Sequence, residues 1–434
     1  MKKNYVNSFI FLCLVGMQLS AQAMPFGVSD SRTLGMGGVG VATATSLNAS
    51  FFNPAMLAQY KVRKELARNA SFTAPPFDLY VRYSKTLEEL DNFHRDDLDG
   101  QLSSAIANFN ASTTVSEAQN LAQPVISSSQ QLQAGLDKLT KGPFALDANF
   151  GFAIGIGGNL EGGALMINFR TVGDGVIVET PEDRALVQKY IATVSYFAET
   201  GTVVGAPNPE LFDAGGQLID QTGNLTSSAR GTLIAVAEFG MSFAHNVEWF
   251  HQQFAIGFTP KTVRVTTYDV EANATQQSLA DNQDLAYDWK FNLDLGLEKQ
   301  INTAWRAAAV VKNLIPQSLK TALNNEVQLN PQWRAGVAYT QHWGILAADL
   351  DLVPNDPVGA GDENQNLGIG GEWFISYPFH LLAGYQYNLK ASGDHKKGLI
   401  SAGFVLQSRY LHFALTYGES AAEKAGALTL AYRF

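Results

Sequence analysis

The last seven residues, Leu428 to Phe434, alternate large apolar side chains with small or polar ones and end on an aromatic. Successive side chains of a strand point to opposite faces, so Leu428, Leu430, Tyr432 and Phe434 share one face while Thr429, Ala431 and Arg433 share the other. A chain whose outer face meets lipid and whose inner face meets water needs this two-residue period. The pattern predicts a membrane strand, and a membrane strand exists only as part of a closed sheet.

The start of the chain agrees. Lys2 and Lys3 precede an apolar core around Phe9 to Leu14 that is too short to span a bilayer, and Ala21-Gln22-Ala23 supplies the small residues of a cleavage site. Residues 1–23 therefore read as a signal peptide. Cys13, the single cysteine, lies inside that core, preceded by Ile10, Phe11 and Leu12 rather than the small residue a lipid anchor needs. The exported chain has no thiol for a disulfide, a thiolate metal site or a redox pair. Removing Lys2 and Lys3 from 30 basic groups leaves 28 against 40 acidic ones, a net of −12, which argues against nucleic acid as a partner. Beyond the signal there is no apolar run of the roughly 18 residues that a helical span requires. With 46% hydrophobic residues and a mean hydropathy near zero, the apolar residues must be interleaved, as strands need.

Alternating segments of roughly 9–11 residues, the length of a tilted membrane strand, recur backwards from the carboxy end. They centre on 425–434, 409–418, 397–408, 379–390, 365–376, 344–353, 326–341, 303–313 and 285–300, then on 249–268, 230–246, 160–179, 145–156 and 71–84. The fold class is thus an all-β membrane protein, a 14-stranded antiparallel outer-membrane barrel over 71–434. Pro75 and Pro76 weaken the first strand. Links of one to three residues, as at His342-Trp343, alternate in phase with long ones at about 85–144, 180–229, 269–284, 314–325 and 354–364. Bacterial barrels have short periplasmic turns and long outer loops, whereas a soluble β-sandwich has no reason to segregate them.

Side-chain parity points Phe291, Leu293, Leu295 and Leu297 outward and Asn292, Asp294, Gly296 and Glu298 inward. Arg306, Lys312 and Arg334 share the inward face of the next strands, followed by Asp349 and Asp351. Acids, bases and acids on neighbouring strands suit lumenal cross-strand ion pairs, or a charged path for a polar solute.

A barrel of this size is too wide for its own side chains to fill. Residues 24–70 are the candidate hatch or plug. Gly35, Gly37 and Gly40 formally satisfy a dinucleotide-loop spacing, but no strand precedes them and no acidic residue follows before Glu65. The glycines, Gly38 included, suit close passage along a barrel wall or a positive φ, and Asn53-Pro54 reads as a turn. The insertion at 85–144 reads as an amphipathic helical hairpin. Leu87, Leu90, Phe93, Leu98 and Leu102 recur mostly at helical spacing, Thr114 and Glu117 match a capping box, and Pro124 should kink or break the second helix.

The Arg32-Thr33-Leu34-Gly35-Met36-Gly37-Gly38 segment, the Asn53-Pro54-Ala55 turn and the barrel ending in Phe434 resemble FadL-like outer-membrane proteins. Within them the chain most resembles the group called conjugal transfer protein TraF, with Val311-Lys312-Asn313-Leu314-Ile315-Pro316 and Asp349-Leu350-Asp351-Leu352 as further matching stretches. The resemblance implies a 14-stranded barrel with an amino-terminal hatch, as in transporters of long-chain fatty acids and aromatic hydrocarbons. It does not extend to the thioredoxin-like periplasmic protein that shares the TraF name, since the exported chain has no cysteine.

No catalytic or metal-binding constellation occurs: the seven histidines are scattered, without a His-Glu-x-x-His pair, and there is no Gly-x-Ser-x-Gly elbow. The chain reads as a non-enzyme without a cofactor. Its expected partners are the outer-membrane bilayer, the barrel-assembly machinery reading Leu428, Leu430, Tyr432 and Phe434, and either small hydrophobic molecules or a conjugation apparatus. Two functions follow: a passive channel or binder for small hydrophobic molecules, or a non-transporting component of an envelope assembly. Deleting Phe434 is expected to lower outer-membrane insertion severalfold; normal amounts of heat-modifiable barrel in the membrane fraction would refute this reading of the terminus.

Overall fold

In the computed structural model, residues 24–45, 48–63, 77–157, 161–249, 251–273, 284–320, 326–355, 357–358 and 362–432 are described. The signal segment, Pro75, Pro76, Arg433 and Phe434 lie outside them.

Interleaved apolar residues become a closed antiparallel ring of 14 strands. In chain order these are β1 (Phe77–Ser84), β2 (Phe144–Gly157), β3 (Glu161–Val178), β4 (Ser228–Trp249), β5 (Gln252–Asn273), β6 (Asp284–Gln300) and β7 (Trp305–Lys312). A separate hairpin, β8 (Gln317–Lys320) and β9 (Glu326–Leu329), intervenes. The ring resumes with β10 (Gln332–Gln341), β11 (Gly344–Asp351), β12 (Asn366–Ser376), β13 (Phe379–Asn388), β14 (Leu399–Gln407), β15 (Leu411–Glu419) and β16 (Glu423–Tyr432). The terminal strand closes the ring on the first, with Leu79 opposite Leu428. On β16, Ala425, Ala427, Thr429 and Ala431 are buried while Leu430 and Tyr432 are exposed. On β6, Phe291 and Leu297 are exposed while Asn292, Asp294 and Glu298 are buried. The dyad period therefore separates a lipid-facing surface from a lumen, as the sequence pattern requires. No helix among the described residues is long and apolar enough to cross a membrane.

The expected single strand over 326–341 is instead two. Pro331 offers no backbone donor and restricts Asn330 before it, so the ladder cannot run through. Residues 326–329 leave the ring and pair with 317–320, inside what read as a plain loop.

The ring is uneven. β4 and β5 each have 22 residues, whereas β7 and β11 have 8. At about 3.3 Å per residue and a tilt near 45°, the long strands rise roughly 50 Å, twice the apolar band of about 25 Å. The tall side therefore stands clear of the membrane. The helices α3 (Lys85–Asp96), α4 (Leu98–Asn110) and α5 (Val115–Leu139) join β1 to β2, and α6 (Pro181–Thr200) joins the tall strands β3 and β4. Two short helices, α1 (Ser31–Gly35) and α2 (Ala49–Phe52), precede them in the chain.

The first insertion holds three helices rather than a hairpin, because Asp97 adopts a left-handed conformation (φ 50°) between α3 and α4. Helix α5 runs unbroken through Pro124. Proline removes one main-chain hydrogen bond, but Ala122, Val125 and Ile126 on that turn are buried against the other helices, which offsets the loss. Helix α6 lies in the segment at about 180–229 that the sequence pattern gives as a long loop. It nevertheless carries ordinary end signals: Thr180 caps it, Pro181 starts it, and Gly201 stops it with φ 67°. Its Val187, Tyr190, Val194 and Phe197 share one apolar core with Leu102, Ile106, Leu132 and Leu136, so the two insertions form a single helical unit.

That unit is tied back to β4 at one carboxylate. Asp183 accepts hydrogen bonds from the Thr226 amide at 2.9 Å, the Ser227 amide at 2.6 Å and the Ser227 hydroxyl. Burial pushes its pKa up, but these donors outweigh burial and hold it below the ordinary carboxylate range. A folded pKa below the unfolded one contributes stability above about pH 3.9 that is lost as pH falls through the folded value. Asp183→Asn is expected to loosen this joint at neutral pH by about 1–3 kcal/mol. Hydrogen exchange at Thr226 and Ser227 should then match that of the native chain in acid; unchanged protection would refute the assignment.

Candidate functional site

The lumen is filled by residues 24–58. Apart from Pro25, Gly27, Thr45 and two undescribed residues they are buried, and they pack on opposite sides of the ring. Helix α1 lies against β13 to β16, while the 3₁₀ turn Pro54–Arg63 lies against β3 to β6.

This segment begins with a tight turn. Asp30 caps α1 by accepting from the Thr33 amide at 2.8 Å and also accepts from the Asn48 side chain at 2.8 Å, joining both ends of the hatch. Gly37 and Gly38 then take φ 71° and 84°, values that L side chains rarely adopt. At Gly37 the wall is also close: a Cβ would lie 2.6 Å from the Tyr385 amide nitrogen and 2.7 Å from the Ile369 carbonyl. The wall answers with Gly368, Gly370 and Gly384, so main chain meets main chain. Gly35 packs on Leu382 and Gly40 on Phe52. Farther along, Asn53 makes the turn with Pro54 by accepting from the Ala55 amide at 3.0 Å, and its amino group donates to Val41 and Leu297 carbonyls.

Charged side chains of the wall hold this backbone. Arg334 donates to Asp351 at 2.6 Å and to the Gly38 carbonyl at 3.3 Å, and lies over the Phe26 ring. Arg306 pairs with Glu298 at 3.2 Å and reaches the Ala42 carbonyl. Lys312 donates to the Phe51 carbonyl at 3.1 Å, and Asp349 accepts from the Gly40 and Val41 amides at 2.7 and 2.8 Å. The expected cross-strand pairing thus describes Glu298–Arg306 and Arg334–Asp351, while Lys312 and Asp349 serve the hatch instead. Asp294 turns to the other neighbour, meeting Lys261 at 2.9 Å; Lys261 also meets Glu238 at 2.6 Å.

Sequence reasoning did not single out Glu238 and Lys261 as lumenal charges, nor Arg170, Asp147 and Glu372 of the same lumen. Arg170 forms a double contact with Asp147 at 2.9 and 2.8 Å and donates to the Pro25 carbonyl. Arg32 of the hatch donates to Glu372 at 2.8 Å, and Glu372 also meets His380 at 2.7 Å. Inward parity on β3, β4 and β5 was the available signal for Arg170, Glu238 and Lys261.

Above this polar belt the inner wall changes character. Val172, Ile234, Val236, Val263 and Val265, which share the inward parity of Lys261 and Glu238, form an aliphatic patch. The β8–β9 hairpin covers it with Leu319 and Leu329, and Met24 joins the cluster. Across the mouth lies a polar cavity of about 90 Å³, lined by Arg82, Asn366, Gln386 and Glu423 among others. Among the described residues no group of acids, histidines and cysteines is arranged to hold a metal ion.

A family model described as "F plasmid transfer operon, TraF, protein" matches residues 50–351, well over half of the chain. The fold is similar to the toluene transporter TbuX of Ralstonia pickettii, at 10% identity over 95% of this chain and 98% of that one, with a TM-score of 0.47. It is also similar to the toluene transporter TodX of P. putida, with the same identity, coverage and TM-score. The CymD monoaromatic hydrocarbon channel is similar at 10% identity over 95% and 98%, with a TM-score of 0.46. No protein of curated function matches the sequence.

Gly37→Ala adds a side chain where both φ and the wall forbid it, at a cost of about 1–3 kcal/mol. The barrel should still assemble with a loosened hatch. Higher single-channel conductance in planar bilayers is the expected outcome, and native conductance in an assembled variant would refute it.

Proposed function

This chain belongs to the F plasmid transfer operon TraF protein family, and from that premise we propose that it is a passive outer-membrane channel for small hydrophobic molecules. The carrying observation is the aliphatic patch of Val172, Ile234, Val236, Val263 and Val265 on the inner wall, roofed by Leu319 and Leu329. A water-filled barrel faces its lumen with polar residues, so a lumenal aliphatic surface at the outer end suits a ligand that leaves water there. The hatch below it is the barrier. Its contacts are individually modest hydrogen bonds of about 1–3 kcal/mol each, so a rearrangement can exchange a few at a time. The export signal and the periplasmic placement of the short turns belong to the same reading.

A second reading rests on a different observation. The hatch is tied to the wall by at least five charged side chains, Arg170, Arg306, Lys312, Arg334 and Asp349, which also suits a closed barrel serving an envelope assembly. Conjugation frequency in a deletion strain addresses that role directly.

Liposomes carrying the protein are expected to take up fatty acids and aromatic hydrocarbons faster than liposomes carrying an unrelated empty barrel; equal rates would refute the channel. Val263→Thr with Val265→Thr keeps the side-chain volume but adds hydroxyls to the patch. Uptake should fall roughly tenfold, the scale of burying polar groups against an apolar ligand.

A further inference from the structure

The lipid-facing surface of β5 and β6 carries a feature that neither the lumen nor the hatch uses. From its inner end upward this surface presents Ile256 and Leu297, Phe258 and Leu295, then Leu293 and Phe291. Each end of this apolar band is marked by a cation over an aromatic ring. At the inner end Lys299 Nζ lies 4.8 Å from the Phe254 ring. At the outer end the Arg264 guanidinium lies 5.1 Å from the Tyr287 ring and 5.7 Å from that of Trp289. About ten residues of β6 separate Trp289 from Lys299; at ~3.3 Å each and a tilt near 45° they span about 23 Å, close to the ~25 Å apolar height of outer-membrane barrels. Arg264 therefore stands where the hydrocarbon of the outer leaflet ends.

The surroundings of Arg264 are built of donors. Thr262 and Thr266, two residues to either side, share its outward face, and Tyr287, which stands opposite Thr266, brings its hydroxyl to the same face. Arg264 is exposed, and among the described residues no carboxylate pairs with it. The two rings attract the guanidinium and cover part of it, which leaves its other N–H groups to the solvent side. A planar fork of donors matches the oxygens of a phosphate better than a lysine point charge does.

We propose that Arg264, with Thr262, Thr266 and Tyr287, forms a binding site on the outside of the barrel for the phosphate group of an outer-leaflet lipid. The acyl chains of that lipid lie along Phe291, Leu293 and Phe258 while the guanidinium takes the headgroup. A lipid held here rests on β5 and β6, and β5 is also the strand whose inner face carries Val263 and Val265 of the aliphatic patch.

The test is native mass spectrometry of the full barrel in detergent, titrated with lipid A and with its dephosphorylated form. The wild-type protein is expected to prefer the phosphorylated lipid about fivefold, the scale of one arginine at a charged membrane surface. Arg264→Gln should abolish that preference, whereas Lys299→Gln should leave it. Inorganic phosphate in about tenfold excess should not displace the lipid, because it lacks the acyl contacts. Equal preference in the Arg264→Gln and wild-type proteins, or full displacement by inorganic phosphate, would overturn the site. The exposed position of Arg264 makes assembly of the variant readily checked by its heat-modifiable mobility.

Discussion

The structure depends on charged side chains of the barrel wall reaching the main chain of the hatch. A ring of 14 strands encloses more space than its own side chains fill. The polypeptide that fills it contributes few long side chains of its own, so its backbone groups need partners inside the lumen. Arg170, Arg306, Lys312 and Arg334 supply donors to carbonyls, and Asp349 supplies the acceptor for two amides. Each cation except Lys312 is also paired with a carboxylate, which offsets the cost of burying it. The glycines complete the arrangement, since hatch and wall main chains come this close only where the facing residue on at least one side lacks a Cβ.

The uneven height of the ring follows from the same division of labour. Around β7 and β10 to β16, strands of 8–11 residues suffice to hold the hatch, which also rests on the lower parts of β3 to β6. Where β3 to β6 rise above the membrane, their inner faces need other cover, and the β8–β9 hairpin provides part of it. The helical unit joins the tall side through α6, between β3 and β4, and the neighbouring strands β1 and β2 through α3 to α5. Its core of Leu, Ile, Val and Phe side chains is separate from the hatch cluster, so the outer unit is stabilised by its own packing rather than by the lumen.

The ring itself was legible in the sequence because a two-residue period is a property of each strand alone. Phe291 and Asn292 reveal their faces without reference to any partner. Gly37, Gly38 and the Asn53-Pro54 turn stand out in the sequence because their backbone demands are local. The pairing of charges was legible only where it followed the ladder, as for Arg334 and Asp351. Lys261 could serve β4 or β6, and parity cannot choose; it serves both, through Glu238 and Asp294. Contacts from Lys312 or Arg306 to hatch carbonyls leave no trace in residue types, since every residue has a carbonyl. The β8–β9 hairpin and α6 are a different case: Pro331, and Thr180 with Pro181 and Gly201, are local signals that lie outside the two-residue alternation of the ring.

Closure of the ring by its first and last strands has a consequence for how the molecule comes to exist. The hatch precedes β1 in the chain, and β1 finds its second partner only when β16 is in place. Until then the sheet is an open, curved surface with two free edges. A segment as folded as the hatch cannot easily be threaded into a finished cylinder 14 strands around, so it has to be gathered against the curved sheet first. A hatch gathered in that order would meet β12 and β13 through its glycine-lined contacts and β7 and β10 through its charged ones, and so favour the curvature that closure needs. In that order of events the plug is less a stopper placed in a pipe than the mandrel on which the pipe is rolled.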